Sequence, residues 1–277
     1  MSAQSKTPVK RLSIHDLAQK KQDDEKLVML TAYTAPMAGI LDQHCDLLLV
    51  GDSVGMVFYG MDTTLSVTLD MMINHGKAVV KGSDKAMVVI DMPFGTYEES
   101  PEQAFANAAE IMAKTGANGI KLEGGSHMAP TIEFLMKRGI PVMAHIGLTP
   151  QSVNGLGGFK AQGREEAQWQ RLIDDAIAVE QAGAFATVLE GVAEPLAQKV
   201  AQKVSNITVG IGASVTCDAQ ILVTDDMLGM FDRVPKFARK FGDLRDVIDR
   251  SVGQYASEVR EKTFPAPENT FSMKKKS

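Results

Sequence analysis

Eight short runs rich in leucine and β-branched residues recur along this 277-residue chain, at 27–31, 47–51, 87–91, 119–123, 142–145, 187–190, 207–211 and 221–224. Between them lie stretches whose apolar residues return every three or four positions, at 35–44, 69–81, 101–114, 128–138, 165–181 and 194–204. Strands separated by helices long enough to cross back over a sheet pair in parallel. Eight such units are the number that closes a barrel. The expected fold class is therefore α/β, a parallel eight-stranded (β/α)8 TIM barrel, with a short helix over 13–21 lying across the barrel bottom. A doubly wound open sheet is the alternative, and its dinucleotide form needs Gly-x-Gly-x-x-Gly after a strand. Neither Gly210-Ile-Gly212 nor Gly155-Leu-Gly157 continues in that way, and the phosphate-loop pattern is missing too.

Local signals agree with the division into units. Ser100 precedes Pro101 with Glu102 and Gln103 in the first turn, and Thr68 precedes Asp70, as helix N-termini require. Gly116 and Gly183 fall where helices should stop, since a left-handed C-terminal cap favours glycine. No linker composition interrupts the chain, so 1–277 reads as one domain, with 1–12 and about 263–277 as flexible tails. Residues 237–262 read as one or two helices completing the outer ring.

Composition excludes several classes. A net charge of −5 leaves no basic footprint for nucleic acid, and the one basic run, Lys274 to Lys276, reads as a solvated tail. No apolar run approaches the roughly 18 residues that span a bilayer, and no apolar segment follows the N-terminal charges, so a cytoplasmic location is expected. A short organellar presequence would also begin with Lys6, Lys10 and Arg11, but Asp16 and the early helix signal count against it. Cys45 and Cys217 stand too far from other ligands for a CxxC metal site and read as buried hydrophobes.

The chemistry is carried by what ends the strands. Asp52, Asp91, Glu123 and Glu190 each close an apolar run, and His145 occupies the equivalent place in a fifth. Parallel strands bring these ends to one rim, where four carboxylates need protons or a cation to coexist. All-oxygen donors favour a hard ion such as Mg²⁺, which makes Asp52, Asp91 and Glu123 the metal candidates. A lone Asp after a strand often only caps the next helix, but Glu seldom does. Lys121 shares a strand face with Glu123. It could hold a substrate carboxylate, act as a Schiff-base nucleophile, or simply pair with an acid. His145 could bond a carbonyl or enolate oxygen, or be a satisfied core histidine. His15, His44, His75 and His127 read as surface, and Met71, Met72 and Met112 as packing. Two long Gly-rich connections, 55–67 and 147–163, are candidate lids.

Val50-Gly-Asp-Ser-Val-Gly-Met56, Asp91-Met-Pro-Phe94, Pro101-Glu-Gln-Ala-Phe105, Lys121-Leu-Glu-Gly-Gly125 and His145-Ile-Gly-Leu-Thr-Pro-Gln-Ser152 together resemble the ketopantoate hydroxymethyltransferase family. Leu189-Glu190, Gly210-Ile-Gly-Ala213 and Pro235-Lys-Phe237 extend the likeness over roughly 27–264. The resemblance implies Mg²⁺ at Asp52 and Asp91 with Glu123 completing the site. It further implies substrate contacts from Ser53, Lys121 and His145 as well as Asp52 and Asp91, and Glu190 as general base. It implies transfer of a one-carbon unit from 5,10-methylenetetrahydrofolate to C3 of 3-methyl-2-oxobutanoate, the first committed step of pantothenate synthesis, in a cytoplasmic homodecamer. Three positions depart from the family pattern: Thr34 where an acid is frequent, Ser214 where Gly-Ala-Gly often continues, and Ala219 in place of a turn glycine. Ser214 puts cosubstrate affinity in doubt. Three rivals remain: a Mg²⁺-dependent carbon–carbon lyase of the isocitrate lyase and phosphoenolpyruvate mutase type, with a mobile loop bearing a catalytic Cys or similar acid group; a Schiff-base aldolase using Lys121; and a metal-dependent oxo-acid binding protein.

Overall fold

In a computed structural model that describes residues 10–273, eight parallel strands close into a barrel in the order β1 to β8. They are β1 (Leu27–Thr31), β2 (Leu47–Val50), β3 (Met87–Asp91), β4 (Gly119–Glu123), β5 (Val142–Gly147), β6 (Ala186–Glu190), β7 (Ile207–Ile211) and β8 (Ala219–Leu222). The helices of the barrel unit are α1 (Ile14–Gln22), α2 (Ala35–Leu41), α3 (Val54–Val57), α4 (Leu69–Gly82), α5 (Pro101–Thr115), α6 (Ala129–Met136), α7 (Val153–Leu156), α8 (Trp169–Gln181) and α9 (Glu194–Lys203). The chain divides into two compact units, Met1–Thr224 and Asp225–Ser277, where the sequence reads one domain. All eight strands belong to the first.

The alternation of side chains along each strand sorts the apolar residues into two sets. Leu47, Leu49, Met87, Val89, Met143, Ala186, Val188, Ile207 and Val209 fill the interior. Their neighbours Leu48, Val50, Val88, Ile90, Ile120, Leu122, Val142 and Ala144 pack instead against the surrounding helices. Counting on by two from Met87 and Val89 reaches Asp91, and from Met143 reaches His145. From Ala186 and Val188 the same count reaches Glu190. The apolar pattern that builds the barrel thus aims these polar side chains inward at its C-terminal end.

Helix α1 closes the other end, as expected. Ser13 caps it, accepting from the Asp16 N–H while the Asp16 carboxylate accepts from Ser13. Leu17 is fully buried among the interior residues of the strands. Lys21 donates to the Ser205 and Asn206 carbonyls and pairs with Asp218 at 3.0 Å, and Lys20 lies 3.4 Å from Asp46. These partners precede strands, which places α1 across the barrel bottom. Residues 1–9 lie outside the described residues. Of the expected flexible tail at 1–12, Arg11 and Leu12 are anchored: Arg11 donates to the Ala86 carbonyl at 2.6 Å, and the Leu12 N–H to the Lys85 carbonyl.

Other boundaries follow tertiary partners rather than local pattern. β8 begins at Ala219 because Leu27 to Leu30 pair with Ala219 to Leu222. Thr224, read as its last residue, instead bonds Thr31 through both its N–H and its hydroxyl. Ala219 accordingly opens a strand and is fully buried, rather than sitting in a turn. Thr34 caps α2, accepting from Met37. Ser100 and Thr68 cap α5 and α4 as expected, Gly116 ends α5 in the left-handed region, and Gly183 follows α8 at φ +97°. Both long connections carry short helices, α3 and α7 among them. Cys45 and Cys217 are buried, as are Met72 and, in part, Met71 and Met112.

His75 is the clear correction: it is buried rather than on the surface. It lies on the face of α4 that packs inward, Nδ1 donating to the Tyr33 carbonyl at 2.7 Å and Nε2 accepting from the Tyr59 hydroxyl at 2.9 Å. A histidine satisfied at both nitrogens is tolerated where its helical neighbours are apolar.

In the second unit, helix α10 (Thr224–Met227) stands at the join and α11 (Leu244–Arg260) is the one long helix where one or two were expected over 237–262. Within the expected tail from 263, Phe264 packs edge-on against Tyr255 and Pro267–Asn269 form a one-turn 3-10 helix. Lys274 to Lys276 lie outside the described residues.

Because Leu17 fills the barrel bottom far from the acidic rim, Leu17→Ala should destabilise the fold by about 2–5 kcal/mol through the cavity it leaves. Urea unfolding monitored by far-UV circular dichroism reads this directly. A loss below about 1 kcal/mol would show that α1 is not part of the core.

Candidate active site

Register places the inward polar residues beside one another. Asp91 on β3 pairs with Lys121 on β4, and Glu123 on β4 pairs with His145 on β5. Lys121 Nζ lies 2.8 Å from Asp91 Oδ1, with side chains only 6% and 3% exposed. Asp52, two residues past β2, donates its backbone N–H to Asp91 Oδ2 at 3.0 Å. His145 sits between two acids, Nδ1 3.6 Å from Glu123 Oε1 and Nε2 3.3 Å from Glu190 Oε2. At 16% side-chain exposure Glu190 is the most open of the group. Gly147, at φ +96°, leaves β5 where a side chain would collide with the Glu190 carbonyl, so the chain passes close over the base candidate only as glycine.

Charge is distributed unevenly over these groups. Burial, and then the charge of Asp91, push Asp52 up to about 6, with Lys121 and a hydrogen bond from Gln151 opposing. Burial and Asp52 hold Glu123 well above the usual carboxylate range. Burial alone would lower Lys121, but Asp91, Asp52 and Glu123 outweigh it and keep the ammonium charged beyond its ordinary pKa. Burial depresses His145 against the opposing pull of Glu190, so near neutral pH the ring is uncharged. An uncharged imidazole has one N–H, which serves only one of its two carboxylate neighbours at a time.

The 2.8 Å contact with Asp91 fits Lys121 as a fixed cation for a substrate carboxylate. Cys45 and Cys217 belong to packing between strands and helices, so neither thiol stands at the rim as the lyase reading requires.

The sequence reading misses two side chains of the cluster. Gln151, in the one-turn helix after β5, donates to Asp52 Oδ2 at 2.8 Å, and Tyr97 donates its hydroxyl to Gln151 Oε1 at 2.5 Å. Gln151 was visible as part of the HIGLTPQS segment, but nothing in spacing or periodicity marks Tyr97. Ser53 turns toward β1, its Oγ 2.9 Å from the Tyr33 hydroxyl. Ser214 is committed to Glu194 at 3.1 Å and Thr216 at 2.9 Å. A cavity of about 670 Å³ meets the cluster at Glu123 and Gln151, with Phe94, Tyr97, Ser126 and Ile146 among its other walls.

The donor set suits a hard divalent cation. Three buried acids face one ammonium, and buried Asp91 Oδ1 has no well-aligned hydrogen bond despite its ionic contact with Lys121. Among the described residues no three of His, Cys, Asp and Glu form a ready ligand cluster, so Asp52, Asp91 and Glu123 are not a closed three-ligand cage. Mg²⁺ commonly takes one or two carboxylates and completes its shell with water and substrate oxygens. Asp52 and Asp91 match that pattern.

The ketopantoate hydroxymethyltransferase family model matches residues 11–267. The chain belongs to the ketopantoate hydroxymethyltransferase family. It is 56% identical to a 3-methyl-2-oxobutanoate hydroxymethyltransferase of Maricaulis maris over 99% of both chains. To the enzyme of the same name from Bartonella henselae it is 57% identical, over 97% of this chain and 98% of that one. Its fold is shared by phosphonopyruvate hydrolase, solved with oxalate and Mg²⁺, at a TM-score of 0.60 and 11% identity over 95% and 93% of the two chains. Ketopantoate hydroxymethyltransferases are enzymes, and this member carries Asp91, Lys121, Glu123, His145 and Glu190 toward the C-terminal ends of its barrel strands. No helix among the described residues is long and apolar enough to cross a membrane.

Metal binding should be strongly pH-dependent. A carboxyl group raised to about 6 in the fold favours its protonated form. The stability it lends is therefore present at low pH and lost as pH rises through that value. A cation needs the ionised form and competes with this proton. Mg²⁺ should therefore raise Tm more at pH 8 than at pH 5 in differential scanning fluorimetry, and an equal shift at both would contradict this assignment.

Proposed function

We propose that this enzyme transfers a hydroxymethyl group from 5,10-methylenetetrahydrofolate to C3 of 3-methyl-2-oxobutanoate, giving 2-dehydropantoate and tetrahydrofolate. The observation that carries the reading is the placement of a fixed ammonium and three acids at one side of the rim, with a fourth acid and an uncharged histidine at the other. Relatives above 55% identity that bear this activity in their names support it.

The chain's own residues divide the work. Lys121, held cationic by Asp91, offers a fixed positive charge for the carboxylate of the oxo-acid. Asp52 and Asp91 would hold Mg²⁺, which when bound polarises the 2-oxo group and acidifies the adjacent C3–H. Glu190, open to the rim, removes the C3 proton, and the enolate carbon bonds to the cosubstrate's one-carbon unit, both C–N bonds of the methylene bridge being broken and water supplying the hydroxyl oxygen. His145, within 3.3 Å of Glu190 and uncharged, orients that carboxylate without neutralising it. The cavity beside Glu123 and Gln151 leaves room for a second substrate next to the first. As in related enzymes by resemblance, a cytoplasmic decamer is the assembly we propose.

Proton exchange tests the first half of this reaction without the folate. ¹H NMR of 3-methyl-2-oxobutanoate in D₂O should show loss of the C3 proton signal with protein and Mg²⁺. EDTA should suppress it, and Glu190→Gln should slow it by about 10²-fold or more. No exchange under any of these conditions would sink the enolisation chemistry proposed here.

A further inference from the structure

Gln151 carries no charge and cannot take a proton from carbon, yet its side chain and backbone N–H together make four hydrogen bonds at the cluster. It is only 5% exposed. Its Nε2 donates to Asp52 Oδ2 at 2.8 Å and to the Met92 carbonyl at 3.0 Å, and its backbone N–H donates to Glu123 Oε2 at 3.0 Å. Its Oε1 accepts from the Tyr97 hydroxyl at 2.5 Å. That hydroxyl in turn accepts from the Glu123 N–H at 3.2 Å. One residue from the turn after β5 thereby ties together the ends of β2, β3 and β4.

The network also decides which way the amide faces. Because the Tyr97 oxygen already receives the Glu123 N–H, its own proton points to Gln151 Oε1, and both Nε2 hydrogens face acceptors. A flipped amide would set its oxygen against the Asp52 carboxylate and the Met92 carbonyl, leaving two buried acceptors without donors. The Asp52 carboxylate and the Met92 carbonyl, which can only accept, fix this orientation, and the Tyr97 hydroxyl completes it by donating to Oε1.

We propose that Gln151, its amide oxygen braced by Tyr97, is a positioning residue of the metal and oxo-acid site, its amide holding Asp52 Oδ2 and its backbone N–H holding Glu123 Oε2 so that the acids keep the spacing that receives a cation. A cationic side chain in that place would neutralise Asp52, and a water could exchange away. A neutral amide supplies the hydrogen bond and leaves the negative charge for the metal. The inference rests on the enolisation reading above and adds to it two residues that the family motifs leave without a role.

The test uses Tyr97→Phe, Gln151→Ala, Gln151→Glu and the Tyr97→Phe/Gln151→Ala pair. Mn²⁺ affinity of the protein alone is read by electron paramagnetic resonance of free Mn²⁺, and kcat and KM from the C3 exchange assay. Each variant should bind Mn²⁺ about 10- to 100-fold more weakly and lose kcat by a similar factor. Gln151→Glu has the same shape but replaces a donor with another acid, so it should not recover wild-type affinity. The double variant should cost no more than Gln151→Ala alone if the two residues act as a unit.

Tyr97→Phe removes a single oxygen atom and remains informative if the Gln151 variants do not fold. Folded variants with Mn²⁺ affinity and kcat within about twofold of wild type would overturn the proposal while leaving the enolisation reading intact, as would strictly additive losses. A lowered Tm with unchanged Mn²⁺ affinity would show a structural role only and overturn it as well. If the wild-type protein neither binds Mn²⁺ nor exchanges the proton, both readings fall together.

Discussion

The buried contact between Lys121 and Asp91 is what allows so many acids to share one end of this barrel. An ion pair taken out of water gains little net stability, because desolvating both charges offsets most of their attraction. Its effect here is on neighbours. With Lys121 held as a cation, Asp52 remains within reach of ionisation near neutral pH and Glu123 is not left facing acids alone. Removing the ammonium would leave buried negative charge with no fixed counter-charge, which is the costly case for a protein interior. The pair therefore sets the electrostatic level from which the other groups depart.

Around that pair the rim divides into a charged side and a second side made of one acid and an uncharged imidazole. Asp52, Asp91, Lys121 and Glu123 come from β2 to β4, while His145 and Glu190 come from β5 and β6. The first group suits fixed positions for a cation and an oxo-acid; the second leaves a more open carboxylate beside an uncharged ring. Gln151 and Tyr97 bridge the strand ends on the charged side through neutral donors. Rigid placement of such groups, more than any single interaction, is what an enolate-forming site asks of its scaffold. Phosphonopyruvate hydrolase shares this fold at 11% identity.

Much of the site was legible because strand ends and barrel rims coincide. Asp91, Lys121, Glu123, His145 and Glu190 follow runs whose two-residue period is strong, so their inward direction could be inferred by counting. Asp52 was legible only by its place after β2, since it lies past the last paired residue. His75 was misread because a helical pattern gives the buried face but not the identity of a polar residue tolerated on it. The start of β8 was misread because a β-branched run names a strand's composition, whereas its bounds come from hydrogen bonds to β1. The 2.9 Å contact between the Ser53 and Tyr33 hydroxyls has no counterpart in the spacing of the sequence.

The amino-acid sequence alone determined the eight βα units, the helix caps at Thr68 and Ser100, and the acids at the strand ends. These are local properties, set by hydrophobic period and by hydrogen bonds within a turn or two. Only the tertiary structure decided that Asp91 faces Lys121, that Glu123 faces His145, and that Gln151 joins Asp52 to Tyr97. Register between strands far apart in the chain sets the first two contacts, and the path of a loop sets the third. Protonation followed from the same contacts, because a buried group's pKa depends on which charges lie within a few ångströms of it, and those distances exist only once the barrel has closed.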